Sequence, residues 1–386
     1  MNNNLDTLLK FEIPEIVYGL GALVQIGQCA RRLGGERVLI VTDPGIIEKG
    51  WVDEVIRHLR REHLKYEIYD NVVTNPRSFQ VNQGAEFYSQ KGCDVIVGIG
   101  GGSAMDTAKG IAILVSNHGK IEDYVGCNLI TQPIPPLICV PTTAGTGSDV
   151  SQFAIISDPG KKIKMTILSR AIMPDISLID PRILQTKSAE LIATTGMDAL
   201  THAVEAYISS LSWSLTDPHA AHAVELVFRN LRDAVQTKSL APLEGMAIAS
   251  LEAGTAFSNA ILGAVHALAH PLGGVYDMHH GIANSILLPV VIKRNIAYAT
   301  LKYARLANAM GIDTRNKTPA EAASLVPCQI EGLIKALGIP TKLSQLGVKA
   351  QDIPRLARDA AEDLCMMTNP QKFGVTEIEE MYREAL

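Results

Sequence analysis

The chain has 386 residues, 47% of them hydrophobic and 19% charged, with a formal net charge of −5. That apolar content suffices to offset chain-ordering entropy, so a disordered chain is excluded, and the length allows two to three domains. With 40 acidic residues against 35 basic ones, there is no basic excess to condense on phosphate backbones or anionic lipid; neither nucleic acid nor a membrane surface is expected as a partner.

The opening MNNNLDTLLKFEIPE lacks a basic n-region and an apolar h-region, so no signal peptide is expected, and its Asn-rich start reads as a tail or a docking segment. Residues 37–41 (RVLIV), 94–99 (DVIVGI) and 137–140 (LICV) are continuous apolar runs, the pattern of strands buried on both faces of a parallel sheet. Helical spacing over 51–62 and 103–115 predicts βαβ units. The turn SDPGKK between 153–156 and 163–168 predicts a hairpin. After about Pro181 strand signals nearly vanish, and Ala, Leu, His and Glu recur at helical spacing from Ser188 onward. The expected architecture is an α/β N-terminal domain over residues 1–185, a parallel sheet with flanking helices, followed by an all-helical C-terminal domain over 186–386. Apolar runs such as 283–292 are interrupted well short of the roughly 18 residues a membrane span needs. The six cysteines are scattered without a CxxC, as expected for reduced thiols in a cytoplasmic protein.

Two loops follow predicted strands. Gly98-Ile-Gly-Gly-Gly-Ser103 sits where a strand hands over to a helix, whose unpaired N–H groups could receive a phosphate. Ser103 stands where GxGxxG would carry its third glycine, and Ser103 with Asp106 forms a predicted capping box. The loop Pro141-Thr-Thr-Ala-Gly-Thr-Gly-Ser148 supplies hydroxyls and glycines at the same edge, so the two together outline a nucleotide crevice. Asp43, just past RVLIV, could accept from a ribose 2′-hydroxyl and repel a 2′-phosphate, favouring NAD over NADP; on spacing alone an Asp-Pro turn former serves equally well.

The histidines are uneven. Seven of the ten (His202, His219, His222, His266, His270, His279, His280) lie in one stretch of the helical half. Asp198 and His202 are four apart, as are His266 and His270, so each pair shares a helix face about 6 Å along. A lone imidazole on an apolar face is ordinarily a core residue, but two such pairs and a further His-His element suit a divalent transition metal with an open position. His219 and His222 read as surface residues in the first turn of another helix.

The motifs GGGSAMDTAK (100–109), PTTAGTGSDVS (141–151), TTGMDALTHAVEAY (194–207) and SNAILGAVHALAHPLGGVYDMHHGIANSILLP (258–289) closely resemble the iron-containing (group III) alcohol dehydrogenase family over essentially the whole chain. The resemblance implies one divalent metal, Fe(II) before Zn(II), on Asp198, His202, His266 and His280. The His before Gly281 fits the family register, so His280 is preferred to His279. It also implies NAD(H) on Gly100, Gly101, Gly102 and Ser103, with Asp43, Asp106, Thr142, Thr143, Thr146, Ser151, Lys164 and Leu191 contributing. His270 corresponds to a residue facing the nicotinamide and is the candidate catalytic proton relay. Phe153, Phe257 and Cys365 match substrate-pocket positions, and an aromatic at 153 points to an apolar pocket. The activity expected is hydride transfer between NAD(H) and a small primary alcohol or its aldehyde, in a homodimer or higher homo-oligomer. A glycerol- or diol-type polyol dehydrogenase of the same fold is the nearest alternative, a metal-dependent hydrolase the more distant one.

Overall fold

The computed structural model describes residues 9–161 and 163–386; the Asn-rich start, and with it the tail or docking role considered above, lies outside the described residues. Strand and helix alternate from the beginning: β1 (Glu15–Tyr18), α1 (Ile26–Arg32), β2 (Arg37–Val41), α2 (Pro44–Glu48), α3 (Trp51–Arg61), β3 (Lys65–Tyr69), α4 (Ser78–Lys91) and β4 (Val95–Gly100). Then come α5 (Gly102–Ser116), β5 (Gly126–Cys127), β6 (Leu137–Pro141), β7 (Phe153–Asp158), β8 (Ile163–Leu168) and β9 (Ile176–Ile179). Six of these strands form a sheet in the order β1-β9-β6-β4-β2-β3, with every neighbouring pair parallel. Its inner strands β2, β4, β6 and β9 are buried almost throughout because both faces are covered, whereas the edge strands β1 and β3 are largely half-exposed. Val38 and Ile40 of β2 pack with Leu23, Val55 and Leu59 on one side, while Leu39 and Val41 pack with Met105, Ala108 and Ile111 on the other. The predicted hairpin forms, with Phe153 opposite Leu168 and Asp158 opposite Ile163.

One local expectation fails. α5 begins at Gly102 with Gly101 at its N-cap, so Ser103 already lies inside the first turn and no capping box forms with Asp106. Asp106 instead accepts from Ser148 Oγ at 2.6 Å and Ile155 N at 3.2 Å, tying α5 to the segment before and within β7.

The second half is helical: α6 (Ala189–Ile208), α7 (Thr216–Thr237), α8 (Leu240–Ala260), α9 (Ala264–Tyr276), α10 (His280–Ala309), α11 (Pro319–Ser324), α12 (Val326–Ala336), α13 (Ile353–Ala361) and α14 (Val375–Ala385). A single apolar core runs through them, including Leu200, Val224, Leu231, Leu268, Leu288 and Tyr303. α6 is buried on every side from Ile192 onward, so it lacks a polar stripe. Ser188 caps its start, the Oγ accepting from Leu191 N at 3.1 Å. α8 and α9 meet at 101° across Ile261, which holds φ at +63°. That unfavourable conformation for a β-branched residue is clamped by Ser209 Oγ donating to Ala260 O and Thr368 Oγ1 donating to Leu262 O. Among the described residues no single helix is long and apolar enough to cross a membrane.

Candidate metal and nucleotide site

Three helices of the second half converge beneath the carboxyl edge of the sheet. α6 supplies Asp198 and His202, α9 supplies His266, and the first turn of α10 supplies His280. One donor atom from each lies within 4.8 Å of all the others. Asp198 Oδ1 is 4.0 Å from both His202 Nε2 and His266 Nε2, and 3.8 Å from His280 Nε2. These spacings are slightly wider than the roughly 3.4 Å edges of a tetrahedron with ~2.1 Å bonds. Burial, with His202 beside it, holds His266 well below the usual imidazole pKa; burial, with Lys164 beside it, does the same for His280. Neutral rings with inward lone pairs are what a cation requires.

Neighbours fix the orientation of these donors. His202 Nδ1 donates to Gly145 O at 3.1 Å, which links the quartet to the second nucleotide loop. His266 Nδ1 donates to Glu205 Oε2 at 2.5 Å, and Glu205 Oε1 accepts from Val265 N at 2.6 Å. Burial pushes the Glu205 carboxyl up to about 7. The Asn284 amide, fully buried, directs Nδ2 at Asp198 Oδ1 (2.7 Å), His266 Nε2 (3.2 Å) and His280 Nε2 (3.1 Å). The amide thus addresses the lone pairs a cation would use. Sequence reasoning missed both residues, although Glu205 lies seven past Asp198 on the same helix face and Asn284 lies four past His280.

His270 is not part of the quartet. It stacks on His280 with ring centroids 5.6 Å apart, and its Nδ1 donates to Asp363 Oδ2 at 2.7 Å. Asp363 lies 93 residues away, with no motif to mark it. His279 is the N-cap residue of α10 and belongs to neither metal-type cluster among the described residues. His219 and His222 are half exposed and share Glu252.

The nucleotide candidates line the carboxyl edge of β2, β4 and β6. Gly100 pairs with Pro141, and Thr142 N donates to Gly100 O at 2.8 Å, so the two loops leave the sheet side by side. Among the described residues, the buried hydroxyls of Thr42, Thr142 and Thr143 find no hydrogen-bond partner, and all three stand at this edge. Asp43 is the N-cap of α2, accepting from Ile46 N at 3.2 Å, and its Oδ2 lies 3.5 Å from where a Cβ on Gly100 would stand. It is therefore both a cap and an edge carboxylate. A cavity of about 150 Å³ joins this edge to the quartet, lined by Gly102, Ser103, Asp106, Thr146, Ser151 and Lys164 on one side. The quartet, His270, Phe153, Phe257 and Cys365 line the other side. Gly100, Gly101, Thr142, Thr143 and Asp43 lie outside this cavity, farther along the edge, and Leu191 lies in the first turn of α6.

Comparison with known proteins decides the kinship. The family model described as iron-containing alcohol dehydrogenase matches residues 14–181, and that of the Fe-containing alcohol dehydrogenase family C-terminal region matches residues 192–386. The chain belongs to the iron-containing alcohol dehydrogenase family. It is 42% identical to a 1,3-propanediol dehydrogenase of Citrobacter freundii over 98% of this chain and 99% of that one. It is 37% identical to an NAD-dependent methanol dehydrogenase of Bacillus methanolicus over 97% and 98% of the two chains. The crystal structure of a 1,3-propanediol oxidoreductase superposes with a TM-score of 0.96 at 40% identity, covering 98% of this chain and 100% of that one. The protein is thus an oxidoreductase acting on CH–OH groups.

For an iron-containing alcohol dehydrogenase the donors fit the expected ion: one carboxylate and three imidazoles, three of the four already addressed by an amide N–H. The wall beside them is apolar. Phe257 stacks on His202 at 4.5 Å and leans on Phe153 at 5.8 Å, with Leu262 and Cys365 completing the surface.

Proposed function

We propose that this enzyme interconverts a small primary alcohol and its aldehyde, with a divalent ion, Fe(II) before Zn(II), held by Asp198, His202, His266 and His280. The observation that carries this reading is the convergence of those four donors on the cavity that the two glycine loops also border. When bound, the ion supplies Lewis-acid polarisation of the substrate oxygen, and NAD(H) supplies or takes the hydride.

The chain's own residues do the rest. The first turn of α5 and the hydroxyls of Thr142, Thr143 and Thr146 receive the dinucleotide phosphates. Asp43 takes the ribose hydroxyl and disfavours a 2′-phosphate, Asp106, Ser151 and Lys164 seat the nicotinamide end, and Leu191 closes the far side. Phe153, Phe257 and Cys365 exclude water and hold an unbranched carbon chain against the nicotinamide. With Asp363 accepting from Nδ1–H, His270 presents Nε2 to the cavity, where it would take or give the proton that alcohol–aldehyde interconversion requires. Replacing His270 by Gln lowers kcat by roughly 10²-fold if this role is correct, and leaves it unchanged if not.

A diol-type substrate is the second reading, favoured by the name of the Citrobacter relative. The six unpaired cysteines support a reducing, cytoplasmic setting. Exposed Ile13, Tyr18, Leu20 and Val24 beside edge strand β1 support a homodimer or higher homo-oligomer, which light scattering checks. The function itself is tested by following NADH and NADPH absorbance with a panel of short aldehydes and hydroxyaldehydes. Oxidation of NADH in preference to NADPH is expected; silence across the panel contradicts the proposal.

A further inference from the structure

Lys109 closes the motif GGGSAMDTAK, is fully buried, and takes no part in the chemistry described above. Its Nζ lies 2.6 Å from Ser148 O, 2.7 Å from Ser151 O and 2.7 Å from Phe153 O. An ammonium has three N–H donors, and three short contacts to main-chain carbonyls use all of them. The Ser148 and Ser151 hydroxyls, both at 3.3 Å, add weaker contacts. The carbonyls come from Ser148 at the end of the second glycine loop, from Ser151, and from Phe153 at the start of β7, so one ammonium gathers the whole connection between loop and strand. The same segment is held at its flanks by Ser148 Oγ donating to Asp106 and by Asp149 accepting from Ser177 Oγ at 2.6 Å. Ser148, Ser151 and Phe153 all line the cavity that contains His202 and Phe257.

We propose that Lys109 is a positioning residue, an internal cation that draws three carbonyls of residues 148–153 onto α5 and so sets the cavity wall against which nicotinamide and substrate are seated. The proposal rests on the functional reading above. Remove the ammonium and all three carbonyls lose their short contact at once, Ser148 O keeping only a long bond from Ser151 N at 3.4 Å, so the segment relaxes outward toward water. The loss falls on binding, because neither the quartet nor His270 touches Lys109.

The test compares wild type with Lys109→Met and Lys109→Gln by NADH fluorescence titration, aldehyde KM, kcat at saturating cofactor, and metal content per chain. Lys109→Met, which has no donor, raises the NADH Kd and the aldehyde KM about tenfold. Lys109→Gln, with two N–H donors, raises them by about threefold. In both, kcat at saturation stays within about threefold and metal content is unchanged. Variants that match wild-type Kd and KM overturn the proposal, and so does a joint loss of cofactor binding and metal, the signature of general unfolding. If Lys109→Met does not accumulate in folded form, Lys109→Gln decides by the same criteria. A wild-type chain that fails to bind NADH overturns the functional reading and the proposal together.

Discussion

His279 and His280 are neighbours with opposite fates. His280 begins α10 and turns Nε2 toward Asp198, whereas His279 stands at the N-cap position with no side-chain bond to the helix. Metal analysis after anaerobic loading should find one ion per chain in wild type and in His279→Ala, and little in His280→Ala; the reverse pattern would transfer the ligand role. Asp180 shows what a charge does away from the site. Its side chain is fully buried, and burial alone would raise its pKa. Hydrogen bonds from Arg182, then from the Gly21 and Leu23 N–H groups, outweigh that and hold the carboxyl below the usual range. Since the native pKa is depressed, this stabilisation is complete above the unfolded value and is lost as pH falls through the native one. Asp180→Asn should cost about 2 kcal/mol in urea unfolding at neutral pH, with the difference from wild type shrinking in acid. A constant difference across pH would refute the assignment.

Helices place the site by touching where side chains would not fit. A Cβ on Gly281 would stand 2.2 Å from Thr194 O, so this glycine lets α10 press against α6 and bring His280 to Asp198. Gly145 does the same for the nucleotide loop against α6, where a Cβ would meet Thr195 O at 2.4 Å. Gly281→Ala should push the two helices apart and weaken metal affinity by roughly 10- to 100-fold in chelator competition, with far-ultraviolet dichroism unchanged; unchanged affinity would show the contact to be slack. Elements of this kind were legible where the pattern is local. RVLIV, DVIVGI and LICV become parallel strands, and the i, i+4 spacings put Asp198 with His202 on one helix face. The capping box at Ser103 and Asp106 was not legible, because α5 starts one residue earlier and Asp106 is claimed by Ser148 and Ile155 across the fold. Asp363 was equally invisible: only tertiary folding brings it to His270.

At the scale of the molecule, a parallel sheet and a helical bundle each finish half a site. The sheet edge carries hydroxyls, glycines and Asp43; the bundle carries the quartet, His270 and the aromatic wall; the segment at residues 148–153 joins them. Bringing these two half-sites together is what the long motifs of the sequence encode, and Glu205, Asn284 and Lys109, each inside one motif, act on partners in another that only the fold brings near. The most direct measurement is aldehyde-dependent NADH oxidation during stepwise return of Fe(II) to chelated enzyme under anaerobic conditions. Activity should be absent at the start, rise linearly, and reach its plateau at one ion for each copy of the Asp198–His202–His266–His280 set. Full activity in the chelated protein, or a plateau at a different stoichiometry, would contradict the account.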